Sequence, residues 1–143
     1  GRSGPRPEMT LARSCAAALL LALIALSGCR QDETVTAYGA AGKIWRLVEV
    51  DDMPVSYDAT LRFPEPGRVA GDAPCNAYSG AMTVPYPWFA LSDVAVTQRA
   101  CPALAAESAY LNALSEMSLS EVLGDTLILS TPEGRKMLFK ADG

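Results

Sequence analysis

From Lys43 onward, apolar and polar residues alternate in short runs. "KIWRLVEV" (43–50) is dense in β-branched and aromatic residues and predicts a strand, which "DDMP" breaks. "ATLRF" (59–63) sets Leu61 and Phe63 on one face and Thr60 and Arg62 on the other. "PEPG" reads as a turn and "RVAG" (68–71) as a short strand. "NAYSGAMTV" (76–84) places Tyr78, Gly80, Met82 and Val84 on one side. A glycine in the middle of such a run signals a bulge or a close backbone approach. "PYPWF" (85–89) is a proline-punctuated aromatic corner, and "LSDVAVT" (91–97) is another candidate strand. The period then changes. In "CPALAAESAYLNALSEM", Leu104, Leu111 and Leu114 fall at helical spacing beside Ala103, Tyr110 and Met117, and Pro102 stands where a helix start tolerates it. That spacing predicts one helix over roughly 103–117. "LSEVL", "TLILS" and "RKMLFK", separated by the turns "GD" and "TPEG", close the chain as an antiparallel meander.

About eight short strands and one helix predict a mainly β (α+β) domain, because a sheet of that size must hide its edges. A compact, antiparallel, barrel-like sheet plugged or flanked by one amphipathic helix does so. An open α+β sheet with the helix on one face is the alternative.

The N-terminal pattern is different. Met9 is the first methionine, so residues 1–8, "GRSGPRPE", read as upstream translation or a cloning remnant. "MTLARS" carries the positive charge of Arg13, and "CAAALLLALIAL" is an apolar run. It is shorter than the ~20 residues a transmembrane helix needs. "LSGC", Leu26–Cys29, resembles the lipobox of bacterial lipoproteins. That resemblance implies a signal peptide over 9–28, cleavage before Cys29 and acylation of Cys29, with more than one acyl chain giving a stable membrane anchor. An ordinary secretory signal is the other reading. Arg30, where an Asp would signal inner-membrane retention, points to the outer membrane, facing the periplasm, in a Gram-negative host. "RQDETVTAYGAAG" (30–42) has no sustained apolar period, so residues 29–42 are expected to be the lipidated cysteine and a flexible tether, with the folded domain over 43–141.

Composition narrows the chemistry. The chain has no histidine, which removes Ser-His-Asp and Cys-His catalysis and imidazole-based metal sites. From Cys29 onward nine basic residues stand against fifteen acidic ones. Such a balance does not suit a phosphate backbone, and nucleic acid is set aside as a partner. No cofactor and no metal are expected.

Loss of Cys15 with the signal peptide and of Cys29 to lipid leaves Cys75 and Cys101. An even pair in an oxidising compartment is a disulfide candidate; a reactive thiol or two buried free cysteines are the alternatives. Cys75 and Asn76 could in principle form a nucleophile with an oxyanion donor, but no base is available. Asn76 is better suited to tie a bulged turn through its amide. Tyr78 is expected in the core with Ser79 outward. Tyr86, Trp88 and Phe89 are the candidate binding platform, or else a lid on the core. Asp51 and Asp52, being adjacent on an extended segment, make a poor catalytic dyad, and "GRK" (134–136) reads as a solvated hairpin end.

The succession "IWRLVEV", "ATLRF", "RVAGDAPCNAYSG", "VTQRACP", "ESAYLNAL", "LILSTPEGRKMLF" resembles the META domain, the family of the bacterial heat-shock lipoprotein HslJ. The matching positions are Trp45, Gly71, Cys75, Asn76, Tyr78, Gly80, Thr97, Cys101, Pro102, Glu107, Tyr110, Leu111 and Leu114. Pro74 stands where the family often has Gly, and Gln98 and Arg99 replace the more usual Arg and Met. The resemblance implies a β-rich envelope domain linked to heat stress, antibiotic tolerance, motility or secretion, with no established reaction. The expectation is a monomeric, non-enzymatic, lipid-anchored envelope protein that binds a protein or envelope component. A β-barrel binder of a small apolar or amphipathic ligand, or an inhibitor of an envelope hydrolase such as lysozyme, is the alternative. A thiol-dependent enzyme is the third.

Overall fold

The computed structural model describes residues 31–142; the expected signal peptide and Cys29 lie outside them. The strands are β1 (Ile44–Val50), β2 (Met53–Pro54), β3 (Thr60–Arg62), β4 (Arg68–Asp72), β5 (Ala77–Ala81), β6 (Ser92–Val96), β7 (Leu119–Leu123), β8 (Thr126–Ser130) and β9 (Lys136–Ala141). Helix α1 (Leu104–Glu116) falls between β6 and β7. The strands form one curled sheet in the order β6-β5-β4-β3-β1-β9-β8-β7, with β2 folded back on the end of β1 and every pairing antiparallel. The mainly β, barrel-like architecture with one helix is therefore as the alternation predicted.

Alternation supplies the core. Trp45, Leu61, Leu127, Leu129, Met137 and Phe139 are at 0% exposure, each on the inner face of its strand. Burial of a side chain this large contributes roughly 1.5–3 kcal/mol. The Trp45 indole N–H is satisfied by Ala40 O at 3.0 Å. Helix α1 adds Tyr110, Ala113 and Leu114 to this core. Its inward face is turned from the one the leucines suggested: Leu104 is 46% exposed, whereas Glu107 is only 6% exposed.

Two sequence expectations need correction. The acids of "DDMP" do more than break a strand. Val50 pairs with Met53, so Asp51 and Asp52 form a two-residue hairpin turn, both in the left-handed region at φ 51° and 66°. That is the conformation a tight hairpin requires, and Asp tolerates it better than most residues. The expected tether over 29–42 is also too long. Val35 and Ala40 are at 0% exposure, and Thr34 and Thr36 at 8%. A 3-10 turn, Val35–Tyr38, carries this segment onto the domain. Its apolar residues are too few and too irregular to give a period, yet two of them fill core positions.

The sheet has two edges, β6 and β7. The segment 85–89, between β5 and β6, covers β7: Phe89 N donates to Ser118 O at 2.9 Å, Ser120 N donates to Pro87 O at 2.7 Å, and Trp88 bridges to Leu119. Among the described residues the β6 edge is left open. Thr97 N donates to Ala77 O at 3.0 Å and Ser79 faces Ala95, so Val96 between them turns its own N–H and C=O away from β5.

Candidate functional site

The Cys-Asn motif sits in the turn between β4 and β5, facing the start of α1. Cys75 is bonded to Cys101 across 26 residues, with the Cα atoms 6.0 Å apart. Above the bridge, the Glu107 carboxylate reaches out of the helix and takes three donors. Its Oε1 accepts from Cys75 N at 3.0 Å and Asn76 N at 2.7 Å, and its Oε2 accepts from Asn76 Nδ2 at 2.7 Å. The other end of the Asn76 amide is equally engaged. Its Oδ1 accepts from Thr97 Oγ1 at 3.0 Å and Arg99 N at 2.6 Å, while Thr97 Oγ1 accepts from Ala77 N at 3.1 Å. Asn76 is 5% exposed. The helix, the β4–β5 turn and the segment after β6 are thus held by one amide and one carboxylate, each with both ends occupied. Burial pushes the Glu107 carboxyl up and is the largest single influence. The Asn76 side chain and the Cys75 and Asn76 amides together outweigh it and hold the carboxyl below its ordinary value.

A second cluster lies below. Tyr78 Oη donates to Thr60 O at 2.7 Å and pairs with Tyr110 Oη at 2.7 Å. Burial pushes both hydroxyls up, so both stay protonated donors. Gly71 passes beside them. A Cβ there would collide with the Thr60 carbonyl and lie 2.7 Å from Tyr78 Oη. Gly71→Ala should therefore destabilise the domain by about 1–3 kcal/mol in denaturant titration, and an unchanged midpoint would show that β3 can move aside. At Gly80 a Cβ would come within 2.9 Å of Ser92 O, where the β5–β6 register shifts.

The remaining candidates separate. Phe89 is 2% exposed and belongs to the core, whereas Trp88 is 56% exposed. The aromatic triplet is thus not a single platform: Trp88 N donates to Pro85 O at 2.9 Å to close a turn at Tyr86–Pro87, after which Trp88 faces out and Phe89 in. Tyr86 is half-buried and stacks on Tyr38, ring centroids 4.6 Å apart. Pro102 is exposed just before α1. Asp51 takes Arg135 and the Lys136 amide, and Asp52 takes Lys136 Nζ at 2.7 Å. The acid pair and "GRK", read separately from sequence, are therefore partners. Arg135 above all holds the Asp51 carboxyl low. At this exposure such pairs contribute little.

Among the described residues the inner face of the sheet is packed with large buried side chains, Trp45, Phe89, Tyr110 and Phe139 among them. Open grooves lie outside, one of about 430 Å³ beside Asn76, Thr97, Arg99 and Leu104 and one of about 350 Å³ over β4, β5 and β6. Among the described residues no group of three or more Cys, Asp or Glu side chains is placed to hold a metal ion, and no helix is long and apolar enough to cross a membrane.

Glu107 is the residue the sequence reading undervalued. A charged residue at i−3 from Tyr110, on the buried face of a helix, was the available signal. The leucine spacing concealed it by assigning Leu104 to that face.

Fold and site together define a disulfide-braced, curled β-sheet domain locked by an internal Glu-Asn pair. The META domain family pattern matches residues 39–143, and the chain belongs to that family. Among solved structures it is similar in fold to an NMR structure of a protein from Burkholderia xenovorans, with a TM-score of 0.59 and 20% identity over 76% of this chain and 87% of that one. A second NMR structure gives a TM-score of 0.57 and 18% identity, covering 73% of this chain and 92% of the other. No curated protein matches the chain.

Proposed function

We propose that this META domain protein is a non-enzymatic, lipid-anchored protein of the bacterial envelope that acts by binding a partner there, with the β6 edge as the binding surface. One observation carries this reading: the groups of the Cys-Asn motif that could do chemistry are bonded to one another, while the backbone of Val96 on β6 faces outward. An exposed edge strand takes an added strand through main-chain hydrogen bonds. The grooves that share Val96 and Thr97 would receive the side chains of that strand. "LSGC" supports the anchor, and the family's envelope setting supports a role in stress or antibiotic tolerance.

The test places a photo-cross-linker at Val94, which is 44% exposed on β6, in the full chain in its host envelope. A discrete protein adduct is expected. Val96→Pro removes the outward N–H and leaves the β5 pairing in place. It should abolish the adduct while the domain still melts cooperatively, and Val96→Ala should retain it. An adduct that survives Val96→Pro would sink the edge reading. A small molecule retained in native mass spectrometry, with no protein adduct, would favour the ligand-binding alternative.

A further inference from the structure

The first described residues fix where the chain leaves the domain. The Asp32 carboxylate accepts from Thr34 N at 2.9 Å and Thr34 Oγ1 at 2.6 Å, Glu33 O accepts from Tyr86 N at 2.7 Å, and Val35 is at 0% exposure. Glu33 is therefore held against Tyr86, and Glu33 is four residues from Cys29. Four extended residues reach at most about 14 Å. A domain of this size is roughly 30 Å across. An anchor on Cys29 is thus shorter than the body it holds, and the domain cannot turn its far side to the membrane.

The face beside the exit has a composition suited to that position. Tyr38, 53% exposed, stacks on Tyr86, and Trp88, 56% exposed, lies two residues beyond. The Tyr86 hydroxyl accepts from Val122 N on β7, and Leu123 at the end of β7 is 57% exposed. Tyr and Trp favour the membrane–water interface because each has an apolar ring and a polar tip. The chain's net charge of −4 argues against electrostatic attraction to anionic lipid.

We propose that the β7 face bearing Tyr38, Tyr86 and Trp88 rests on the bilayer to which Cys29 is attached, with Trp88 at the headgroup level. The inference depends on the lipid anchor at Cys29. It makes the anchor an orienting device, which leaves β6 to face the compartment.

The full chain, matured in a lipoprotein-processing host and its acylation checked by intact mass, is reconstituted into zwitterionic phosphatidylcholine vesicles with brominated acyl chains, which quench tryptophan on contact. Trp45 is at 0% exposure and serves as an unquenched internal reference. The emission removed by Trp88→Phe should fall at least twofold relative to vesicles without bromine, with no need for anionic lipid. Asp58→Trp in the Trp88→Phe background, just before β3 in the middle of the strand order and 95% exposed at its side chain, should remain bright. An acylated chain with unquenched Trp88, or one whose Asp58→Trp reporter is quenched equally, overturns the orientation and leaves the anchor standing. Protein adducts from a cross-linker at position 88 without bromolipid quenching would assign the face to a protein. A mature chain without acyl mass removes the anchor and the orientation together.

Discussion

Glu107→Ala is expected to destabilise the domain by about 3–5 kcal/mol, since it leaves neutral buried donors without their acceptor at about 1–3 kcal/mol each. Three donors lose their acceptor at once: Cys75 N, Asn76 N and Asn76 Nδ2. Glutamine does not rescue them. Two backbone N–H groups fix Oε1 as an acceptor, so the new amide nitrogen must face Asn76 Nδ2, donor to donor. Flipping Asn76 only moves the conflict to Arg99 N, which needs the amide oxygen. Glu107→Gln should therefore still cost about 1–3 kcal/mol.

The pH dependence distinguishes charge from shape. The folded state holds the Glu107 carboxyl below its ordinary value, so its stabilisation is present above the unfolded value and lost as the pH falls through the folded one. Wild-type stability should drop below roughly pH 4, and Glu107→Gln should show a flatter curve there in urea titrations. If both proteins lose stability in parallel, another carboxylate is responsible; Asp51, held low by Arg135, is the first to examine.

Removing the Cys75–Cys101 bridge is the second large effect. For a closed loop of this length the chain-entropy treatment gives about 3.5 kcal/mol, to be read as the change in denaturation midpoint for Cys75→Ser/Cys101→Ser. An unchanged midpoint would mean that the bridge adds nothing to the native restraint. The bridge and the Glu107 carboxylate hold the same junction, between the β4–β5 turn and the start of α1. Each therefore masks part of the loss of the other, and the combined variant should lose more than the sum of the two changes.

Local pattern was enough for most strands. Two-residue alternation grouped Leu61 with Phe63 and Tyr78 with Met82, and all four lie on inner faces, because a pleated strand leaves each side chain only two directions. The helix was also legible, since the period changed at Pro102. Its inward face was not, because Leu104 and Glu107 can exchange roles only when a partner waits for the carboxylate. That partner, Asn76, is 31 residues away. The same limit hid the pairing of Asp51 and Asp52 with Arg135 and Lys136 and the docking of Val35 and Ala40, since no local rule ties residues so distant in sequence.

The sequence by itself determined the alternation, the single helix, the cysteine pair, the family motif and the absence of imidazole chemistry, because each is a property of residue type and short spacing. Tertiary structure decided the rest. It turned Cys-Asn from a candidate reactive corner into a brace, sent Phe89 inward and Trp88 outward, closed β7 while leaving β6 open, and brought the chain exit beside Tyr86. Each of these depends on which distant groups meet, and only the folded chain settles which hydrogen bonds are made and which surfaces stay wet.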